Sequence, residues 1–263
     1  MNSIAFAVIV LVVLGLAGGI ILVLASKFMA VYEDPRIAQI TECLAGANCG
    51  GCGYAGCSGY AAALASGNAR PGLCPSQKAE SLQQLSRMLG VAAESREPRT
   101  AIVCCSGDDL HATRQAQYNG INNCRDAMSV AAGAKTCTYG CIGLGACARA
   151  CPFGAIEITA THLAVVHKEL CQGCGKCVQA CPKKLIRLVP RNAPIHVFCS
   201  SPLKGIQKRA ACKSACIGCG KCVRSAPESM RMDSGISLAA VNYGNPPDES
   251  LAEECPTHAL RKN

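Results

Sequence analysis

Residues 171–182 read CQGCGKCVQACP, which spaces Cys171, Cys174, Cys177 and Cys181 as C-x2-C-x2-C-x3-C-P. With that spacing a chain offers thiolates to four-iron, four-sulfide cubes: three cysteines close on one cube, and the cysteine before proline reaches a neighbouring one. Such a motif forecasts a partner, and one stands just upstream, where Cys137, Cys141, Cys147 and Cys151 precede Pro152 in CTYGCIGLGACARACP. Exchanging the closing cysteines gives one quartet of Cys171, Cys174, Cys177 and Cys151 and another of Cys137, Cys141, Cys147 and Cys181. Between the motifs, residues 155–158 and 163–166 read as a small hairpin, Ile156 and Ile158 alternating as a half-buried strand requires.

A third copy follows. Aligning CIGLGACARACP from Cys141 with CIGCGKCVRSAP from Cys216 places Leu144 where Cys219 supplies the middle ligand, so the earlier motif must recruit a cysteine from upstream, Cys137. In the later copy Ala226 stands for the cysteine before Pro227, and of a closing motif only Cys255-Pro256 remains. Under the exchange rule the lost cysteines all belong to one cube. The survivors, Cys216, Cys219, Cys222 and Cys255, would hold a single cluster, with Cys212 the competitor for the place of Cys219.

A fourth set lies nearer the N-terminus: Cys49, Cys52, Cys57 and Cys74, spaced x2, x4 and x16 among glycines. Glycine lets backbone wrap close to a cube and aim amides at its sulfurs. Plant-type two-iron sites use x4 then x2, the reverse order, which favours the four-iron cube. Residues 60–66, ended by Gly67, and 81–89, ended by Gly90, read as short helices beside this set.

The chain has 263 residues, 22 cysteines, no Trp and only 16% charged residues, so ligation rather than apolar burial organises much of it. It is long for a disulfide miniprotein, and paired x2 spacings ending in Cys-Pro are ligand geometry. Zinc ribbons also use C-x2-C pairs; the Cys-Pro endings argue against them. The formal charge is +9 with neutral cysteines. An oxidised cube with four thiolates carries about −2, so four would bring roughly −8 and leave the chain near neutrality. The basic residues interleave with ligands rather than forming an aromatic-studded patch, which speaks against nucleic acid as a partner. Lys183, Lys184, Arg187, Lys204, Lys208 and Arg209 form either a docking face for an acidic redox carrier or an ordinary solvated face. Six cysteines remain outside the quartets: Cys43, Cys104, Cys105, Cys124, Cys199 and Cys212. Buried small hydrophobes are their default role. Cys104 and Cys199 each follow an apolar run, as at the end of a strand. The five histidines have no metal spacing, and neither a dinucleotide fingerprint nor a P-loop is present.

Residues 4–25 carry no charged or hydrogen-bonding side chain and are long enough to cross a bilayer core of about 30 Å as one helix. No basic residue precedes the run and no clear cleavage site follows it, which distinguishes it from a signal peptide. Lys27 and Arg36 on its C-terminal side place the rest of the chain in the cytoplasm. With no polar group at depth, the helix is not itself an ion path.

The order of parts, an apolar N-terminal helix, NCGGCGYAGC with a distant Cys-Pro, then CTYGCIGLGACARACPFGAI and CQGCGKCVQACPK, resembles the Rnf-complex B-type electron-transfer proteins, part of the ion-translocating ferredoxin:NAD oxidoreductase. The resemblance covers essentially the whole chain. It implies an α+β architecture: a membrane anchor over 1–30, a small [4Fe-4S] domain over 31–95, a connecting segment over 96–135, a dicluster ferredoxin-like domain over 136–190, and a one-cluster unit over 191–263. It also implies an electron-relay subunit without covalent catalysis in the inner membrane, its clusters in the cytoplasm, taking electrons from soluble ferredoxin and passing them to other subunits. A polyferredoxin-like subunit of a hydrogenase or another anaerobic reductase, or of a complex that reduces a redox-sensing regulator, is the alternative.

Overall fold

The apolar run folds as a single helix, α1 (Ser3–Phe28), its side chains exposed along its length, as expected of a segment whose solvent is lipid. The computed structural model describes residues 3–28, 34–93, 97–233 and 235–262. The domain boundaries expected after residues 30 and 95 lie outside the described residues.

The first cysteine set belongs to a small helical unit. α2 (Pro35–Glu42) begins with proline in its first turn and Asp34 capping the Arg36 amide. α3 (Gly56–Ala65) and α4 (Ala79–Leu89) follow, the latter stopped by Gly90 in the left-handed conformation. Ile40, Leu44, Tyr60, Ala61, Leu64 and Leu85 form its core. The Tyr60 hydroxyl donates to the Arg70 carbonyl (2.7 Å) and accepts from the Leu73 amide (3.2 Å), which fixes the loop that delivers Cys74.

Two units of similar order follow. The first runs β1 (Arg99–Val103), α5 (Cys124–Ser129), α6 (Ala146–Arg149), β2 (Ile156–Ile158), β3 (Ala164–Val166), α7 (Lys176–Ala180) and β4 (Ile186–Pro190). β2 and β3 form the expected hairpin, and β1 pairs antiparallel with β4, Thr100 opposite Val189. The segment 96–135 is therefore more than a connection, because its strand closes the dicluster unit. The second unit runs β5 (Ile195–Val197), α8 (Gly205–Ala211), α9 (Lys221–Ser225), β6 (Met230–Asp233), β7 (Leu238–Val241), a 3-10 turn (Glu249–Ala252) and β8 (Leu260–Lys262). Again the middle strands form a hairpin and the outer two pair. A 3-10 turn stands where the first unit has α7, consistent with loss of the second cysteine triplet there.

Each motif copy makes the same tight turn. Gly143, Gly173 and Gly218 have φ of +84°, +65° and +68°, and a Cβ on each would lie 2.3, 2.6 and 2.7 Å from the carbonyl oxygens of His162, Arg99 and Ser237. Only glycine combines that conformation with that approach. Gly173→Ala adds a clash with the Arg99 carbonyl to the left-handed backbone cost of about 1–2 kcal/mol and is expected to lower the thermal midpoint of anaerobic protein by more than that backbone cost alone. Gly67→Ala, whose Cβ meets nothing within 4 Å at φ +75°, retains only the backbone term of about 1–2 kcal/mol. Equal midpoints for the two variants would contradict the close-approach argument.

Candidate iron-sulfur sites

Cys151, Cys171, Cys174 and Cys177 line one cavity of about 300 Å³ beneath β1, where Ala101, Ala155 and Leu188 complete the wall. Cys151 arrives from the other motif and lies on the same wall as the three cysteines of the second. The Ala101 amide donates to the Cys171 sulfur (3.3 Å) and the Ala155 amide to that of Cys151 (3.4 Å). Burial, then repulsion from Cys171, Cys174 and Cys151, pushes the Cys177 thiol up to about 12.

The companion cavity, about 390 Å³, is lined by Cys124, Cys141, Cys147 and Cys181. Burial, followed by repulsion from Cys141, Cys124 and Cys181, likewise pushes the Cys147 thiol up to about 12. Cys181 is the exchanged member, and the Leu185 amide donates to its sulfur (3.4 Å), the counterpart of Ala155 on Cys151. Cys137, expected here, lies on a different cavity with Cys105, Cys199 and Cys212. Cys124 lines this cavity from the start of α5, where the Asn123 side chain accepts from the Arg125 amide. Arg149 explains how so distant a residue is delivered: its guanidinium donates to the carbonyls of Leu144 (3.0 Å) and Asn122 (3.2 Å), tying the loop that lost its cysteine to the segment that brings one. Arg224, the equivalent arginine of the next copy, donates to the Cys219 carbonyl at 3.0 Å.

Cys216, Cys219, Cys222 and Cys255 line a third cavity, about 390 Å³, in the second unit. Burial and repulsion from the other three push the Cys222 thiol up to about 11. Cys212 is not on this wall, so the geometry favours Cys219 over its competitor.

In the N-terminal unit Cys52, Cys57 and Cys74 pack against the helical core, Cys49 being buried nearby. Burial raises the Cys74 thiol pKa, amides of Ser76 and Ala45 oppose this, and Cys49 and Cys52 reinforce it. Asn48 accepts from the Cys57 amide (2.8 Å) and holds the start of α3 against the glycine loop. This unit is seated on the next: a Cβ at Gly51 would lie 3.0 Å from the Cys174 Cα.

Among the described residues no group of three or more His, Cys, Asp or Glu is gathered tightly enough for a single metal ion. In the two ferredoxin-like units the sulfurs line cavities instead. Those cavities, with amides aimed at the sulfurs and thiols whose deprotonation needs a strong local cation, fit an iron-sulfur cube. Of the basic residues around Lys183 to Arg209, Lys184, Arg187, Lys204 and Arg209 are exposed, whereas Lys208 is buried and the half-buried Lys183 donates to the carbonyls of Ala132 and Thr138.

Spacing alone favours the nearer Cys137 and so hides Cys124. The pairing of Cys137 with Cys212 in the two copies is the available sign that both face a different cavity. Cys43 and Cys104 keep the packing role expected of them: Cys43 sits in the N-terminal core, and Cys104 lies against Ile102, Val189 and Tyr243.

Family comparisons agree with this layout. Residues 44–76 match a family model described as a putative Fe-S cluster, and residues 136–185 match a 4Fe-4S dicluster domain. The chain is 42% identical over 82% of its length to the B component of the Na(+)-translocating ferredoxin:NAD(+) oxidoreductase complex of Acetobacterium woodii, of which it spans 65%. It is 40% identical over 81% of its length to the B component of the ion-translocating oxidoreductase complex of Methanosarcina acetivorans, covering 79% of that protein. With the B component of the proton-translocating ferredoxin:NAD(+) oxidoreductase complex of Clostridium ljungdahlii it shares 36% identity over 99% of this chain and 93% of the other. On these relationships and the cysteine architecture, the chain belongs to the Rnf family of B-type components of ion-translocating oxidoreductase complexes.

Proposed function

We propose that this chain relays electrons within a membrane-bound, ion-translocating ferredoxin:NAD oxidoreductase, from reduced ferredoxin at the cytoplasmic face to partner subunits that reduce NAD and move the ion. The observation that carries the reading is adjacency: quartets lie in succession, Gly51 of the first resting on Cys174 of the next, which shares a hydrophobic core with the companion quartet. Each [4Fe-4S] cluster supplies reversible one-electron chemistry when bound. The chain itself supplies position, burial and sulfur-directed amides, which set the potentials.

The four ligand sets are Cys49, Cys52, Cys57 and Cys74; Cys124, Cys141, Cys147 and Cys181; Cys151, Cys171, Cys174 and Cys177; and Cys216, Cys219, Cys222 and Cys255. Cys219 is exposed, and Arg224 at its carbonyl and the exposed Lys221 give that end a basic rim suited to an acidic carrier. α1 anchors the chain as a single span, with Lys27 and Arg36 holding the remainder on the cytoplasmic side.

Ferredoxin-dependent NAD reduction by membranes is expected to vanish when this chain is deleted; undiminished reduction would remove the proposal. Cys124→Ala and Cys181→Ala, singly and together, should each lower iron by about four atoms per chain, because both serve one cube; additive losses would refute the shared site. Gly51→Ala should leave iron unchanged while slowing electron exchange between the first cluster and the rest, measured by stopped-flow reduction. Unaltered kinetics would show that the Gly51–Cys174 contact is not on the path.

A further inference from the structure

A fourth cavity, about 420 Å³, lies between the two ferredoxin-like units and is lined by cysteines outside the four sets above: Cys105, Cys137, Cys199 and Cys212, with Cys104 at its edge. We propose that Cys105, Cys137, Cys199 and Cys212 hold a fifth [4Fe-4S] cluster, which bridges the dicluster unit to the last unit.

The internal duplication supplies the first argument. Each unit gives the cysteine two residues beyond its first strand, Cys105 after β1 and Cys199 after β5. Each also gives the cysteine four residues ahead of its first motif cysteine, Cys137 before Cys141 and Cys212 before Cys216. The hydrogen bonds repeat as well. The Cys105 sulfur accepts from the amides of Gly107 (3.4 Å) and Cys141 (3.3 Å). The amides of Ser201 and Cys216, the corresponding positions, act on the Cys199 thiol, and the Ser214 amide on that of Cys212, each opposing the rise that burial causes. Sulfurs collecting amide donors in this way are what cluster ligation requires and what packing alone does not.

Charge supplies the second argument. Lys135 and Lys208 line the same cavity at 5% and 2% exposure. Among the described residues neither makes a salt bridge to Asp or Glu; Lys135 donates only to the carbonyls of Gly107 (2.7 Å) and His162 (3.0 Å). Buried cations are retained where an anion faces them, and four thiolates around an oxidised cube carry a net charge of about −2. Ser106, also on the wall, has a buried hydroxyl with no partner, a spare donor for a cluster sulfide or thiolate.

The placement gives the site its role. The Cys141 amide joins it to the second quartet and the Cys216 amide to the last, one peptide unit on each side. The last cluster is thereby connected to the others through protein-held sulfur. The inference borrows from the proposed relay only the nature of the cofactor.

Full-length protein, made and purified without oxygen, is assayed for iron, acid-labile sulfide and zinc and weighed by native mass spectrometry. Five cubes give about 20 iron and 20 sulfide per chain, falling to about 16 in Cys199→Ala, in Cys212→Ala and in the double variant. Cys104→Ala should retain the full count. Wild-type protein with only four cubes, zinc in stoichiometric amount lost on Cys199→Ala, or a Cys199–Cys212 disulfide in the intact mass would overturn the fifth site and leave the four-quartet relay standing. Protein without any iron would overturn both. If the variants do not fold, the cluster count of the wild type decides alone.

Discussion

Four thiolates held together repel one another, and this repulsion is the constraint around which the chain is arranged. The same burial that positions Cys147, Cys177 and Cys222 pushes their thiols up to about 11 or 12. A multinuclear cation core at the centre of each quartet reverses that preference, and backbone amides on the sulfurs assist. Folding and cluster assembly are coupled in consequence, since much of the apolar core consists of the ligands themselves. In the dicluster unit Cys147, Cys171 and Cys177 are buried among Ala101, Ile156 and Leu185, so a quartet cannot be emptied without loosening the strands around it.

Duplication followed by selective loss accounts for the differences between the two ferredoxin-like units. The first keeps both motifs, and a residue from α5 lines the cavity beside the gap at Leu144, through the clamp of Arg149 on Leu144 and Asn122. The second has one cavity ringed by Cys216, Cys219, Cys222 and Cys255 and a 3-10 turn in its other half. Both retain the strand that pairs across the unit, because β1–β4 and β5–β8 carry the backbone bonds that hold the halves together. Position in such a unit constrains sequence less by side-chain type than by distance to the next sulfur.

The motifs, the exchanged cysteines, the hairpin at Ile156 to Val166, the helix ended by Gly90 and the apolar α1 are legible in the sequence because each is local: a spacing, an alternation, a cap or a run. Cys124 is not, since its approach to Cys141 depends on a tertiary clamp that leaves no periodic mark. The location of Cys137 is hidden for the same reason, its neighbours Cys199 and Cys212 coming from the other unit. Lys208 looks like part of a basic face because sequence shows charge but not burial, and it sits on the inward side of α8. The conflict at Leu144 and the unassigned cysteines are visible as defects in the pattern: Cys124 approaches from within the same unit, whereas Cys199 and Cys212 meet Cys105 and Cys137 across units.

The central claim is that these cysteine-lined cavities are iron-sulfur sites in sequence along one path. Anomalous diffraction at the iron edge, from crystals grown without oxygen, tests it directly. The account predicts a compact iron peak inside each cysteine-lined cavity and a further one among Cys49, Cys52, Cys57 and Cys74, in an unbroken row from the N-terminal unit to the last. Peaks at the zinc edge in those positions, or continuous sulfur–sulfur density with no iron, would contradict it.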